Sequence, residues 1–162
     1  MFGLWRTYRG RRAAAGQIIP LLEGTRRRLG GIPGSAWRDP YVVGFLGMLI
    51  TMVATRVAGA LGTNDLAAVQ AKAWADITGA SGDVFGEEIC FYDAAHDDRF
   101  ISGCRNAEAF YYALNMVREN GDQELGPGAP TPFLSQAGDG GSALWSRYFD
   151  AHLGGPAIGP EP

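Results

Sequence analysis

The densest supply of reactive side chains lies between positions 87 and 98: Glu87, Glu88, Cys90, Asp93, His96, Asp97 and Asp98. Carboxylates, thiols and imidazoles are the groups that ligate transition metals and move protons. Asp93 and His96 are three residues apart, so on a continuous helix they share a face. They are the chain's candidate metal ligands. A metal site inside a helical bundle needs two such elements plus further carboxylates from other helices. This chain has one D-x-x-H, and its other histidine, His152, falls on no long helical pattern. The favoured reading makes His96 a core-edge residue that continues the Phe85, Ile89, Tyr92 face, with the acids solvated. A metal-dependent helical-bundle enzyme stays as an alternative.

No nucleotide-binding G-x-G-x-x-G, phosphate-binding loop, G-x-S-x-G nucleophile turn or C-x-x-C is present. Cys90 and Cys104 are the only cysteines, and no spacing pairs either with a histidine as a catalytic couple. In a cytosolic protein they are expected as free thiols. The sequence therefore names no catalytic residue and no cofactor.

Charge is distributed unevenly. Residues 1–39 carry eight arginines against Glu23 and Asp39, a net +6, whereas residues 40–162 carry six basic and fifteen acidic side chains, a net −9, giving −3 for the whole chain. A basic head precedes an acidic body. In the head, Trp5, Arg6, Tyr8, Arg9, Arg11 and Arg12 interleave aromatic rings with guanidinium groups. Three partners suit that pattern: an acidic protein surface (the chain's own or another's), an anionic membrane surface, or nucleic acid. The acidic body repels nucleic acid, which disfavours the last. These six residues are the candidate partner-binding set.

The elements that must position this head read as helices. Residues 2–28 form a basic N-terminal helix, with Pro20 expected to kink or restart it. Residues 29–38 read as a loop. Asp39-Pro40 is the clearest helix start in the chain, because the carboxylate accepts from first-turn amides and proline has no amide to leave unbonded. From there an apolar helix is expected over about 39–61. Along it Gly44, Gly47, Thr51, Ala54 and Ala58 recur every three or four residues, a stripe of small side chains that admits close helix packing. A third helix is capped from Thr63-Asn64-Asp65, buries Leu66, Val69, Ala73 and Ile77, and ends at Gly79. A fourth starts near Ser81 or Asp83. A fifth, capped by Ser102, buries Ala107, Phe110, Tyr111, Leu114 and Val117 and stops at Asn120-Gly121. Residues 121–141 are expected to be irregular, residues 142–153 a last helix with Leu144, Trp145, Tyr148 and Phe149 on its apolar face, and 154–162 a Gly/Pro-rich tail.

The expected fold is all-α, a single domain over residues 1–153 with five or six helices around the apolar helix at 39–61. The first thirty residues lack the 7–15-residue apolar core of a secretory signal, so the cytoplasm is the expected location. One segment competes with that. Residues 41–62, broken only by Arg56, are long enough to cross the ~30 Å hydrocarbon layer, and the preceding arginines would keep the N-terminus in the cytoplasm. The function expected is therefore a non-enzymatic helical interaction or adaptor protein that binds a protein partner or a second copy of itself. The rival is a small membrane-anchored subunit with its span at 41–62.

Overall fold

The apolar segment after Asp39 forms helix α2, Pro40–Ala58, and the other described helices pack around it. The structure is a computed structural model that describes the backbone of residues 2–121 and 138–153, with side chains over 3–116 and 138–153. Among those residues the chain is an all-α bundle. Around α2 stand α1 (Phe2–Leu29), α3 (Thr63–Thr78), α4 (Gly82–Ala94), α5 (Asp98–Gly121) and α6 (Gly138–Trp145). A 3-10 turn at Gly34–Arg38 leads into α2, and α6 continues through a π-helical turn, Ser146–Asp150, to a last helical turn, Ala151–Leu153. The tail at 154–162, the stretch 122–137 and the side chain of Val117 lie outside the described residues.

Asp39 starts α2 as the sequence leads one to expect. Its Oδ1 accepts from the amides of Tyr41 at 2.9 Å and Val42 at 3.4 Å, with Pro40 in the first helical position. The same carboxylate also receives Arg99 Nη2 at 2.8 and 3.0 Å, which ties the start of α2 to the start of α5. α2 ends at Ala58 rather than near 61, because Gly59 adopts φ +76° and turns the chain.

Four of the five small residues of α2 each receive a different part of the bundle, while Ala58, half-buried at the end of α2, offers its carbonyl to Arg6. At Gly44 the backbone of α5 passes so close that a Cβ there would collide with the Phe100 carbonyl. The contact is reciprocal, since a Cβ on Gly103 would strike the Tyr41 carbonyl and the Phe45 amide. Gly47 lies under the rings and chains of Phe85 and Ile89 from α4. Thr51 Oγ1 accepts from Gln70 Nε2 of α3 at 2.8 Å. Ala54 meets Gly10 of α1, where an added Cβ would stand 3.2 Å from that of Ala54. Larger side chains fill the rest of the core. Phe45 lies against Phe110, Trp145 and Phe149, and Trp74 stacks on Phe85 with ring centroids 4.1 Å apart.

Other details also depart from the sequence reading. Thr63, Asn64 and Asp65 do not cap α3 but form its first turn, and the capping position is Gly62, which has no side chain to accept a hydrogen bond. α1 runs unbroken through Pro20; the acceptor that proline leaves unbonded is the carbonyl of exposed Gly16, which water can reach, while Ile18 and Leu22 hold the helix in the core. α5 begins at Asp98 and is capped by Asp97, whose Oδ1 accepts from the Phe100 amide at 2.9 Å, so Ser102 lies inside the helix. Residues 138–141 are helical, the first turn of α6, rather than irregular. His96 lies beyond the end of α4 and is exposed, so it does not extend the Phe85, Ile89, Tyr92 face.

The glycine contacts make a paired prediction. Gly103→Ala forces the α2–α5 crossing apart and lowers stability by about 1–3 kcal/mol or more. Gly16→Ala, with nothing within 4 Å of the new methyl, raises stability by about 0.5–1 kcal/mol through helix propensity. Urea unfolding of both variants checks this, and shifts of the same sign would contradict it.

Candidate interaction surface

α1 is bound to the bundle by its small residues, not by its aromatic ones. Gly3, Thr7, Gly10 and Ala14 recur at helical spacing along the inner face. Thr7 and Ala14 are buried there, and Thr7 Oγ1 donates to the Gly3 carbonyl at 2.9 Å. Turning that face inward necessarily turns Leu4, Trp5 and Tyr8 outward. They are 79%, 58% and 53% exposed, among the most exposed large apolar side chains described.

The same geometry sorts the four arginines of the candidate set into two kinds. Arg6 reaches across to the end of α2, where Nε donates to the Ala58 carbonyl at 2.8 Å and Nη2 to that of Ala60. A guanidinium there satisfies carbonyls that the helix leaves free and sits at the negative end of its dipole. Gly59 makes room for it, since a Cβ at that position would stand 3.2 Å from Arg6 Nη2. Arg11 forms a two-pronged pair with Asp76 of α3, at 2.6 and 2.7 Å. That hydrogen bond, more than charge alone, holds the Asp76 carboxyl below the usual range and raises the Arg11 guanidinium above its own. The pair is about one-third exposed on each side, so its contribution to stability is about 1 kcal/mol or less.

Arg9 and Arg12 make no hydrogen bond or ion pair with the body among the described residues. The Arg9 guanidinium lies 4.5 Å from the centroid of the Trp5 ring. Arg12 Nη1 donates to Tyr8 Oη at 2.9 Å. Trp5 with Arg9, and Tyr8 with Arg12, are two parallel i, i+4 rungs on the solvent side of one helix. Each rung presents an aromatic face beside a positive charge, a combination that buries well against an acidic surface with some apolar area. Of the six candidate partner-binding residues, four thus form one exposed face, and Arg6 and Arg11 belong to the scaffold beneath it. The sequence carries a signal for this split: glycine, threonine, glycine and alanine at 3, 7, 10 and 14 mark the packed face of the helix.

The other end of α1 is fastened by a buried network. Trp145 Nε1 donates to Thr25 Oγ1 at 2.8 Å, and that hydroxyl donates to Asp150 Oδ1 at 2.6 Å. Arg28 closes the set, with Nη2 2.7 Å and Nε 2.8 Å from Asp150 Oδ2. His152 stacks on Tyr41 with centroids 4.1 Å apart, and burial lowers its pKa, with Arg99 adding to the shift and Asp39 opposing it.

The residues proposed for metal or thiol chemistry are not assembled into a site. No group of three or more His, Cys, Asp or Glu side chains converges among the described residues. Asp93 and His96 do not share a helical face, because the helix has ended between them. His96 has φ +50°. Its amide donates to the Asp93 carbonyl at 3.1 Å, and the Asp97 amide donates to the Tyr92 carbonyl at 3.0 Å. This is the hydrogen-bond pattern that terminates helices at a left-handed residue, a position glycine usually occupies. Cys90 is exposed and Cys104 half-buried, and both are free. Burial, with Glu108 and Asp93 adding, pushes the Cys104 thiol up to about 11, so it is not a thiolate at neutral pH.

No known family model matches the chain, and no curated protein and no solved structure shows significant similarity to it.

His96 supplies a test that separates a helix cap from a ligand. His96→Gly relieves a left-handed residue and raises stability, by about 1 kcal/mol. It leaves the metal content of the purified protein unchanged. A fall in melting temperature together with loss of a bound metal would show that the imidazole is a ligand.

Proposed function

We propose that this chain is a non-enzymatic helical interaction protein, an adaptor that works in the cytoplasm through protein–protein contacts. The observation that supports it is the division of the basic head. Arg6 and Arg11 are spent on holding α1 to the bundle, while Trp5, Tyr8, Arg9 and Arg12 stand exposed on a helix whose other face is fixed. A rigid helix presenting aromatic and cationic groups in fixed register loses little side-chain entropy on binding. Trp, Tyr and Arg are also the residue types that dominate interface energetics.

A single membrane span is the second reading. α2 is 19 residues long with mean hydropathy 1.7, enough by length and composition to cross a bilayer. Against it, about two-thirds of that apolar stretch is covered by the rest of the bundle. Spanning a bilayer would require α1, α3, α4 and α5 to leave it. Partition of the expressed chain into the aqueous rather than the membrane fraction, without detergent, is the expected result, and quantitative recovery with membranes would favour the span.

The adaptor reading has a direct test. Arg9→Gln/Arg12→Gln weakens capture of the protein partner by about ten-fold, which is about 1.4 kcal/mol, and leaves the melting temperature unchanged. Capture also weakens as salt rises, because these charges are exposed. Arg6→Gln instead lowers the melting temperature. Pull-down at low and high salt, with thermal melts of each variant, reads all three. Equal capture by wild type and the double variant would contradict the proposal, as would attachment of the wild-type face to anionic vesicles alone.

A further inference from the structure

α4 is divided in the same way as α1, with the opposite charge. On its inner side Glu88 pairs with Arg38 at 3.3 Å, Tyr92 Oη donates to the Arg38 carbonyl at 2.7 Å, and Phe85 is buried. On its outer side Asp83, Glu87 and Phe91 follow at i, i+4 and i+8, all exposed, with Phe91 67% so. Neither Asp83 nor Glu87 has an ion-pair partner among the described residues. The two carboxylates are one helical turn apart, about 5–6 Å between Cβ atoms, and Arg9 and Arg12 have the matching separation on α1. Each stripe also ends in exposed aromatic area: Trp5 and Tyr8 on one, Phe91 on the other. The two faces do not meet within one chain, since no ion pair joins α1 to α4 among the described residues.

We propose that the exposed face of α1 docks on the outer stripe of α4 of a second copy of this chain, Arg9 and Arg12 meeting Asp83 and Glu87 while Trp5 and Tyr8 cover Phe91. This rests on the reading of that face as a protein-binding surface and names its partner. Because the two surfaces differ, the association is head to tail: every bound copy leaves one face of each kind open, and growth continues unless the ring closes. The attraction is between exposed charges, so salt weakens it.

Sedimentation velocity on the full chain tests the proposal. At low salt the wild type sediments above its 17.3 kDa monomer mass, increasingly with concentration, and returns to monomer at high salt. Arg9→Gln/Arg12→Gln and Asp83→Asn/Glu87→Gln each sediment as monomers. Mixed in equal amounts they associate again and stop at a dimer, because each variant brings one intact face. Thermal melts matching the wild type show that both variants are folded; should Asp83→Asn weaken the first turn of α4, Glu87→Lys replaces the second variant in the same scheme. A wild type that stays monomeric at every concentration overturns the proposal, and so do folded variants that fail to complement. A monomeric wild type that still captures a different protein through Arg9 and Arg12 overturns the second copy as partner and leaves the adaptor reading standing.

Discussion

The near-contact of backbones where α2 crosses α5 is the constraint on which the rest of the structure depends. Gly44 lies against the Phe100 backbone and Gly103 against the backbone of Tyr41 and Phe45, with no room for a methyl group at either glycine. That closeness lets Phe45 reach Phe110 and brings Asp39 within hydrogen-bond reach of Arg99. α2 is apolar on nearly every side, so burying one face of it is not enough. Its small residues let α4, α3 and α1 close on it in turn at Gly47, Thr51 and Ala54. Once Gly10 is seated against Ala54, the rotation of α1 about its own axis is fixed. Arg6 then falls on the end of α2, Arg11 on Asp76, and Trp5, Tyr8, Arg9 and Arg12 have only solvent to face. The candidate surface is a consequence of core packing several residues away.

The C-terminal segment makes that arrangement stiff at its far end. Trp145 and Phe149 complete the aromatic cluster around Phe45, and the Trp145, Thr25, Asp150, Arg28 network satisfies the polar groups that this burial would otherwise strand. α1 is thus held at both ends, by Arg6 and Arg11 near its start and by Thr25 and Arg28 near its finish. A long helix clamped in this way is suited to presenting a fixed row of side chains, which is the property an adaptor surface needs.

Much of the fold was legible from local chemistry. Asp39-Pro40 announced the start of α2, the buried positions of α3 follow its apolar spacing, and Gly79 ends α3 with φ +73°. The exceptions share a physical reason: the deciding group lay far away in sequence, or an ordinary residue took a role usually filled by another. His96 ends α4 in a conformation that glycine usually supplies, so nothing in its identity marked the corner. Asp97 outcompeted Ser102 as a cap because the turn at His96 had already aimed it at the Phe100 amide. The arginines' own spacing does not separate the free ones from the paired ones, since Arg6 and Arg11 find partners 52 and 65 residues away; the signal lies in the small residues of the packed face instead.

The central claim is that α2 is the buried axis of the bundle and that the surface on α1 exists because of it. Hydrogen exchange of the chain in detergent-free buffer measures this most directly. The account predicts that the amides of residues 43–54 are the slowest in the molecule and exchange only through global unfolding. It also predicts that α1 is protected as one unit from Thr7 onward. Amides in 43–54 that exchange as quickly as those of the chain's exposed turns, or that gain protection only when lipid or detergent is added, would contradict it.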